Sequence, residues 1–167
     1  MTTVAPDTDR GIRRAVRADL LDVVRIERAA FSHPWDVDAF EQFVGQPGFL
    51  VAESPGGGGA VGGDVVGYVV ATGVQVNGTP MGHVKDLAVD PDHRGRGLGS
   101  TLLDRGLSIL AGRGHDGVRL EVRESNETAI DLYRGFDFSI VRRYPGYYPD
   151  GEDAFLMVAD VSDREEY

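Results

Sequence analysis

Between Val84 and Ser100 an apolar run, Val84-Lys85-Asp86-Leu87-Ala88-Val89, leads through Asp90-Pro91-Asp92-His93 into three alternating glycines, Gly95, Gly97 and Gly99, which open into a helical pattern. That helix runs from Leu98 to about Ala111, with Leu103, Leu107 and Leu110 on one face, and the next apolar run, Val118-Arg119-Leu120-Glu121-Val122, reads as a strand. Strand, crossover helix and strand in that order form a right-handed parallel unit. Glycines in such a turn leave backbone N–H groups uncovered at the positive end of a helix, a geometry suited to a pyrophosphate. Arg94 and Arg96 add positive charge where the chain is otherwise acidic.

The remaining elements surround this unit. Ile12–Arg17 reads as a short strand, and Asp19 as the cap of a helix with Leu20, Val23, Val24 and Phe31 at helical spacing, closed by Pro34. Residues 36–44 form a second helix with Phe40, Phe43 and Val44 on one face, ended by Gly45 and Pro47. Strands over 49–52 and 65–71 are joined by a glycine-rich surface hairpin loop, 55–63. A helix over 127–134 precedes strands over 138–142 and 154–159, with a turn at 147–151. The order β-α-α-β-β-β-α-β-α-β-β describes an α/β fold with a mixed sheet and helices on both faces. A chain of 167 residues has room for one domain. Its expected organisation is a lead-in over 1–10, a domain over 11–161 and a tail over 162–167.

Composition removes several classes of function. With no cysteine there is no disulfide, thiolate metal site or cysteine nucleophile. A net charge of −10 argues against nucleic acid as a partner, because that affinity rests on a basic face. No apolar run approaches the roughly 18 residues of a membrane helix, and the first residues lack a signal-peptide pattern, so a cytoplasmic protein without a membrane partner is expected. Lys85 is the one lysine among 17 basic residues, and 18 aspartates stand against 9 glutamates. This acidic, arginine-rich bias resembles proteins of halophilic archaea, whose self-repulsion is screened by salt. The glycine turn is not followed by Gly-Lys-Ser/Thr, which excludes a Walker-type triphosphatase. Its Gly-x-Gly-x-Gly spacing also departs from the dinucleotide fingerprint.

Arg94-Gly95-Arg96-Gly97-Leu98-Gly99 resembles the Arg/Gln-x-x-Gly-x-Gly/Ala signature of the GCN5-related N-acetyltransferases (GNAT). Leu120–Asn126 with Ala129–Tyr133, and Gly146–Ala154, are similar to the RimI-like and archaeal protein N-terminal acetyltransferase branch of that family. The resemblance implies a GNAT fold: a central seven-stranded mixed sheet, splayed parallel strands 4 and 5, and about four flanking helices. It implies acetyl-CoA as acetyl donor, with no metal, and cofactor contacts from Leu87, Ala88, Val89, Arg94, Gly95, Arg96, Gly97, Leu98, Gly99, Ser100, Asn126 and Tyr133. In the family the turn holds the pyrophosphate, and backbone groups of the preceding strand pair with the pantetheine arm.

Acetyl transfer needs a neutral amine, a stabilised oxyanion and a proton for the departing thiolate. An N-terminal amine, of pKa about 7.7–8.0, is mostly protonated at neutral pH. The resemblance makes Glu121 the general base. Its strand neighbours Leu120 and Val122 point to the opposite face, so Glu121 faces either solvent or a cleft. Tyr133 carries a phenol, a group protonated at neutral pH, and becomes the general acid. Asn126 shares its helix face at a spacing of seven and is either a cofactor ligand or the helix N-cap. The resemblance implies that Tyr147 and Tyr148, an aromatic pair in a hairpin turn, hold the substrate's first residues together with His33, Trp35 and His83, and that His83 relays protons. His93 reads as an exposed turn residue. Where relatives read Leu-Gly-Phe this chain has Phe136-Asp137-Phe138 after Gly135, which predicts a shifted helix end. The implied activity is direct transfer of acetyl to N-terminal Ala, Ser or Thr of proteins, a ribosomal protein among them, by a monomer or weak dimer. The alternatives are a small-molecule or lysine side-chain acetyltransferase and a non-catalytic coenzyme A-binding regulatory subunit.

Overall fold

A computed structural model of the chain describes residues 11–54 and 64–164. The glycine-rich loop expected over 55–63 and the expected lead-in over 1–10 lie outside the described residues. Among the described residues seven strands form one mixed sheet: β1 (Ile12–Arg14), β2 (Phe49–Glu53), β3 (Val65–Val76), β4 (Thr79–Val89), β5 (Gly117–Arg123), β6 (Ser139–Tyr144) and β7 (Ala154–Asp160). Their spatial order is β1-β2-β3-β4-β5-β7-β6. The helices are α1 (Leu20–Ala30), α2 (Val37–Glu41), α3 (Leu98–Gly112) and α4 (Glu127–Arg134). Strands β4 and β5 run parallel with Gly82 opposite Val118 and His83 opposite Arg119. No described helix is long and apolar enough to cross a membrane.

The chain divides into two compact units, one of Met1–Val70 with Asp86–Gly106 and the other of Ala71–Lys85 with Leu107–Tyr167. The first is organised around Phe40, which is fully buried and packs against Trp35, Phe49 and Tyr68 at centroid distances of 5.1, 6.2 and 5.4 Å. Val23, Val24 and Ile26 of α1 and Val51 and Val70 of the sheet complete that core. Burying each such aromatic or branched side chain contributes about 1.5–3 kcal/mol. The second unit buries Leu107 and Leu110 of α3, Val118, Leu120 and Val122 of β5, and Met157 of β7. Gly82 is required there, since a Cβ would stand 2.8 Å from Leu110 and 2.9 Å from Val118.

Several boundaries differ from the sequence pattern, each for a local reason. The pattern implies a strand over Ile12–Arg17, but β1 ends at Arg14 and residues 17–19 form one 3₁₀ turn. Asp19 stands at the N-cap of α1 without capping it. Its carboxylate instead accepts 2.8 Å hydrogen bonds from the Val16 N–H and from two nitrogens of Arg13. Burial opposes ionisation of Asp19, yet Arg13 and the Val16 N–H outweigh it and hold the carboxyl below its ordinary range. Helix α2 covers only part of the expected 36–44, because the chain turns after Glu41 towards Gly45, at φ +92°. Residues 72–83, unassigned by pattern, lengthen β3 and β4 around Asn77-Gly78. Both turn residues have positive φ, 51° and 79°, as a type I′ hairpin turn requires.

The helix end near Gly135 also differs from expectation. Gly135 is helical, and the left-handed position falls on Asp137 at φ +67°. The Phe138 N–H bonds the Tyr133 carbonyl at 3.1 Å and the Asp137 N–H bonds that of Arg134 at 3.0 Å, a Schellman pair. The Phe138 ring packs on Tyr133 at 5.9 Å. The turn therefore keeps its form with an aspartate where glycine is the unstrained choice. Asp137→Gly is expected to raise unfolding free energy by about 0.5–1 kcal/mol, and Asp137→Val to lower it by about 1–2 kcal/mol. Denaturant titration in molar salt checks both signs.

Candidate active site

In the first unit, β4 ends at Val89, and the N–H of the next residue, Asp90, bonds the Val66 carbonyl at 2.8 Å. The Asp90 carboxylate accepts from the Asp92 N–H and from Arg25, both at 3.0 Å, and these contacts hold its pKa low. This bracing leads into the glycine turn. Gly95 and Gly97 lie at φ +81° and +77°, and a Cβ on either would meet nothing within 4 Å, so conformation rather than space demands glycine. The Gly97 carbonyl accepts from the Thr101 N–H at 3.0 Å and from its hydroxyl at 2.9 Å. Gly97 thus starts α3, and the N–H groups of Leu98, Gly99 and Ser100 belong to the helical first turn that has no intrahelical acceptor. Arg94 and Arg96 are exposed beside it, and the Arg94 Nε donates to the Val89 carbonyl at 3.3 Å. Such a cradle of donors and cations suits a phosphate-bearing ligand.

Immediately before the turn, Ala88 is buried while Leu87 and Val89 are half-buried. The Leu87 N–H donates to Asp86 Oδ1 at 2.9 Å. Asp86 Oδ2 lies 3.4 Å from the Tyr68 hydroxyl, which also donates a short hydrogen bond to Glu27. Glu27, 2% exposed, accepts as well from the Trp35 N–H at 2.8 Å. Burial, followed by Glu27, pushes the Asp86 carboxyl well above the usual carboxylate range. This acid cluster carries a signal that pattern reading missed. Glu27 sits in the stripe of Leu20, Val23, Val24 and Phe31, where a charged residue needs a buried partner.

In the second unit, β5 alternates buried Val118, Leu120 and Val122 with half-buried Arg119, Glu121 and Arg123. Glu121 is therefore shielded: its side chain is 13% exposed, with Oε2 2.7 Å from His83 Nε2 and Oε1 3.1 Å from Arg119. Burial alone would raise its pKa, but His83 and Arg119 outweigh that and hold it below the ordinary value. Arg119 also donates to the Tyr144 hydroxyl at 3.4 Å. Its position two residues from Glu121 on the same strand face was readable from alternation alone.

Tyr147 is half exposed, stacks on Tyr144 at 5.7 Å and meets Tyr148 edge-on at 5.0 Å. The Arg123 guanidinium lies 4.1 Å over the Tyr148 ring, and burial, then Tyr147, push the Tyr148 hydroxyl up to about 12. Asn126 caps α4, its oxygen accepting from the Ala129 N–H at 3.2 Å, and Tyr133 is buried against Phe138. In the first unit, His33 is exposed and bonded to the Ser32 hydroxyl, while Trp35 packs on Phe40 and Phe43. His93 is half-buried in its 3₁₀ turn, not exposed as its position implies. Among the described residues, no group of three or more His, Asp or Glu side chains is arranged to hold a metal.

The described residues form a seven-stranded mixed sheet with β4 and β5 parallel, and a glycine turn opens α3. The sequence profile of the acetyltransferase (GNAT) family matches residues 20–138. An N-alpha-acetyltransferase of Sulfolobus acidocaldarius is 34% identical over 161 residues, covering 90% of this chain and 92% of that one. A [ribosomal protein bS18]-alanine N-acetyltransferase of Escherichia coli K12 is 33% identical over 151 residues, covering 86% and 93%. The crystal structure of Ard1 from Thermoplasma volcanium superposes with a TM-score of 0.78 at 29% identity, covering 89% of this chain and 96% of that one. The chain belongs to the acetyltransferase (GNAT) family and is an N-acetyltransferase.

Proposed function

We propose that this enzyme acetylates the α-amine of protein N-termini, preferring Ala, Ser or Thr, in the cytoplasm and with a ribosomal protein among its substrates. The observation that carries this reading is the Glu121 carboxylate, shielded on β5 and hydrogen-bonded to His83. The names of the two relatives, N-alpha-acetyltransferase and [ribosomal protein bS18]-alanine N-acetyltransferase, support the substrate class.

Acetyl-CoA supplies the acetyl group as a thioester when bound. The chain's residues fit it: Gly95 and Gly97 leave open space where side chains would stand, and Arg94 and Arg96 are exposed beside them. Arg94–Ser100 would hold the pyrophosphate, and backbone groups of Leu87–Val89 the pantetheine arm. The Leu87 N–H serves there only once Asp86 Oδ1 releases it. Asn126 keeps its amide N–H groups for the cofactor because the cap uses only its oxygen. Glu121 and His83 together take the proton from the incoming ammonium, directly or through water, and the Tyr133 hydroxyl returns a proton to the leaving sulfur. Tyr147 and Tyr148, with His33 and Trp35, would hold the first residues of the peptide.

The decisive experiment follows label from acetyl-CoA into peptides beginning Ala, Ser, Thr, Met or Glu, beside one with a blocked N-terminus and an internal lysine, in molar potassium chloride. Transfer to free Ala, Ser or Thr termini and none to the blocked peptide is expected. Transfer only to the blocked peptide would move the activity to lysine side chains, whose amine pKa of about 10.4 asks more of a base. No transfer to any peptide, with coenzyme A still binding, would favour a small-molecule acceptor or a regulatory role.

A further inference from the structure

We propose that Arg119 is a positioning residue that keeps the Glu121 carboxylate charge-paired and so sets the pH at which the Glu121–His83 pair can take a proton from an amine. This rests on the reading above, in which that pair receives the proton. Arg119 reaches Glu121 Oε1 at 3.1 Å while His83 occupies Oε2 at 2.7 Å, so both carboxylate oxygens are engaged. The other polar groups near Glu121 come from the hairpin side. Tyr144 of β6 meets Arg119, and Tyr147 and Tyr148 of the β6–β7 connection lie within range of the Glu121 charge. Arg123, next along the same face, is engaged by Asp150, Glu152 and the Tyr148 ring, and Leu156 opposite Glu121 on β7 is apolar. Arg119 is therefore the cation that bears directly on Glu121 from its own strand.

The environment of Arg119 points to a role beyond holding the sheet together. Among the described residues its Nε is buried without an acceptor, and its bond to the Tyr144 hydroxyl is long at 3.4 Å. An arginine selected for stability alone would have its buried donors satisfied; the well-made contact is the one to Glu121. Unpaired, a shielded carboxylate would bind a proton or the substrate's own ammonium more tightly, and either would delay release of the neutral amine to higher pH. Arg119 offsets that tendency by compensating the carboxylate with its positive charge.

The test is the pH dependence of kcat for peptide acetylation at saturating substrates, in Arg119→Gln, Arg119→Met, Arg119→Lys and Glu121→Gln. Both uncharged Arg119 variants keep much of the aliphatic stem. They are expected to move the acid limb of the profile up by about one pH unit, whereas Arg119→Lys stays within about 0.3 unit of the parent. Acetyl-CoA affinity and thermal melts identify any variant that fails to fold. A reduced kcat with an unmoved limb in a folded uncharged variant would make Arg119 merely structural and overturn the proposal. A limb that moves equally in the Glu121→Gln background would show that the effect does not pass through Glu121, and would overturn it as well. Glu121→Gln with the parent's rate and profile would instead sink the underlying reading of the pair, and the proposal with it.

Discussion

Glu121→Gln is expected to lower the rate of acetyl transfer at pH 7 by about 10²–10⁴-fold, the usual contribution of a positioned proton acceptor, with acetyl-CoA affinity unchanged within about twofold. The substitution is close to isosteric. The amide oxygen can still accept from Arg119, where Oε1 now lies at 3.1 Å, and the amide nitrogen can face His83, where Oε2 lies at 2.7 Å. What disappears is the negative charge and the capacity to accept a proton. The lowered pKa of Glu121 adds a condition: the carboxylate is ionised around neutral pH, so a loss of rate just below neutral pH does not report its protonation. Initial rates with a free-terminus peptide and calorimetric titration of acetyl-CoA measure the two quantities separately. A rate within about fivefold of the parent would remove the proton-transfer role from Glu121.

Glu27→Ala is expected to lower stability by about 3–5 kcal/mol. Glu27 is 2% exposed and accepts from two groups held by different segments, the Trp35 N–H and the Tyr68 hydroxyl. Removing it takes the acceptor from the half-buried Trp35 N–H and leaves the buried Tyr68 hydroxyl only its 3.4 Å contact to Asp86, each costing about 1–3 kcal/mol, and opens a cavity beside Tyr68. Glu27→Gln retains one acceptor oxygen and should cost less than half as much. Chemical denaturation in molar potassium chloride, chosen because the net charge of −10 opposes folding in dilute buffer, reads the difference. A loss below about 1 kcal/mol for the alanine variant would mean that the cluster is not held as described.

Much of the fold was legible because it is local. Alternation over 118–122 set Glu121 on the face opposite Leu120 and Val122, and the helix expected from Glu127 to about Arg134 is α4. The hairpin at Asn77-Gly78 escaped the pattern although its dipeptide is a strong turn signal, because the polar, alternately exposed residues around it resemble a loop. Asn126 shows the limit of position as a guide: the cap and the ligand readings call for the same residue, and the structure establishes the cap contact.

By itself the sequence determined the order of elements, the demand for glycine at 95 and 97, and the face of β5 that carries Glu121. Each follows from dihedral preference and periodicity within a few residues. The partners were decided by tertiary structure. His83 reaches Glu121 from 38 positions away through the parallel register that sets His83 beside Arg119, and Glu27 meets Tyr68 across 41 positions. Asp19 likewise gives its carboxylate to Arg13 and the Val16 N–H rather than to α1, because burial makes an unpaired charge costly and the arginine lies within reach. Strand register and burial are properties of the whole packed chain, and no local pattern encodes which groups they bring into contact.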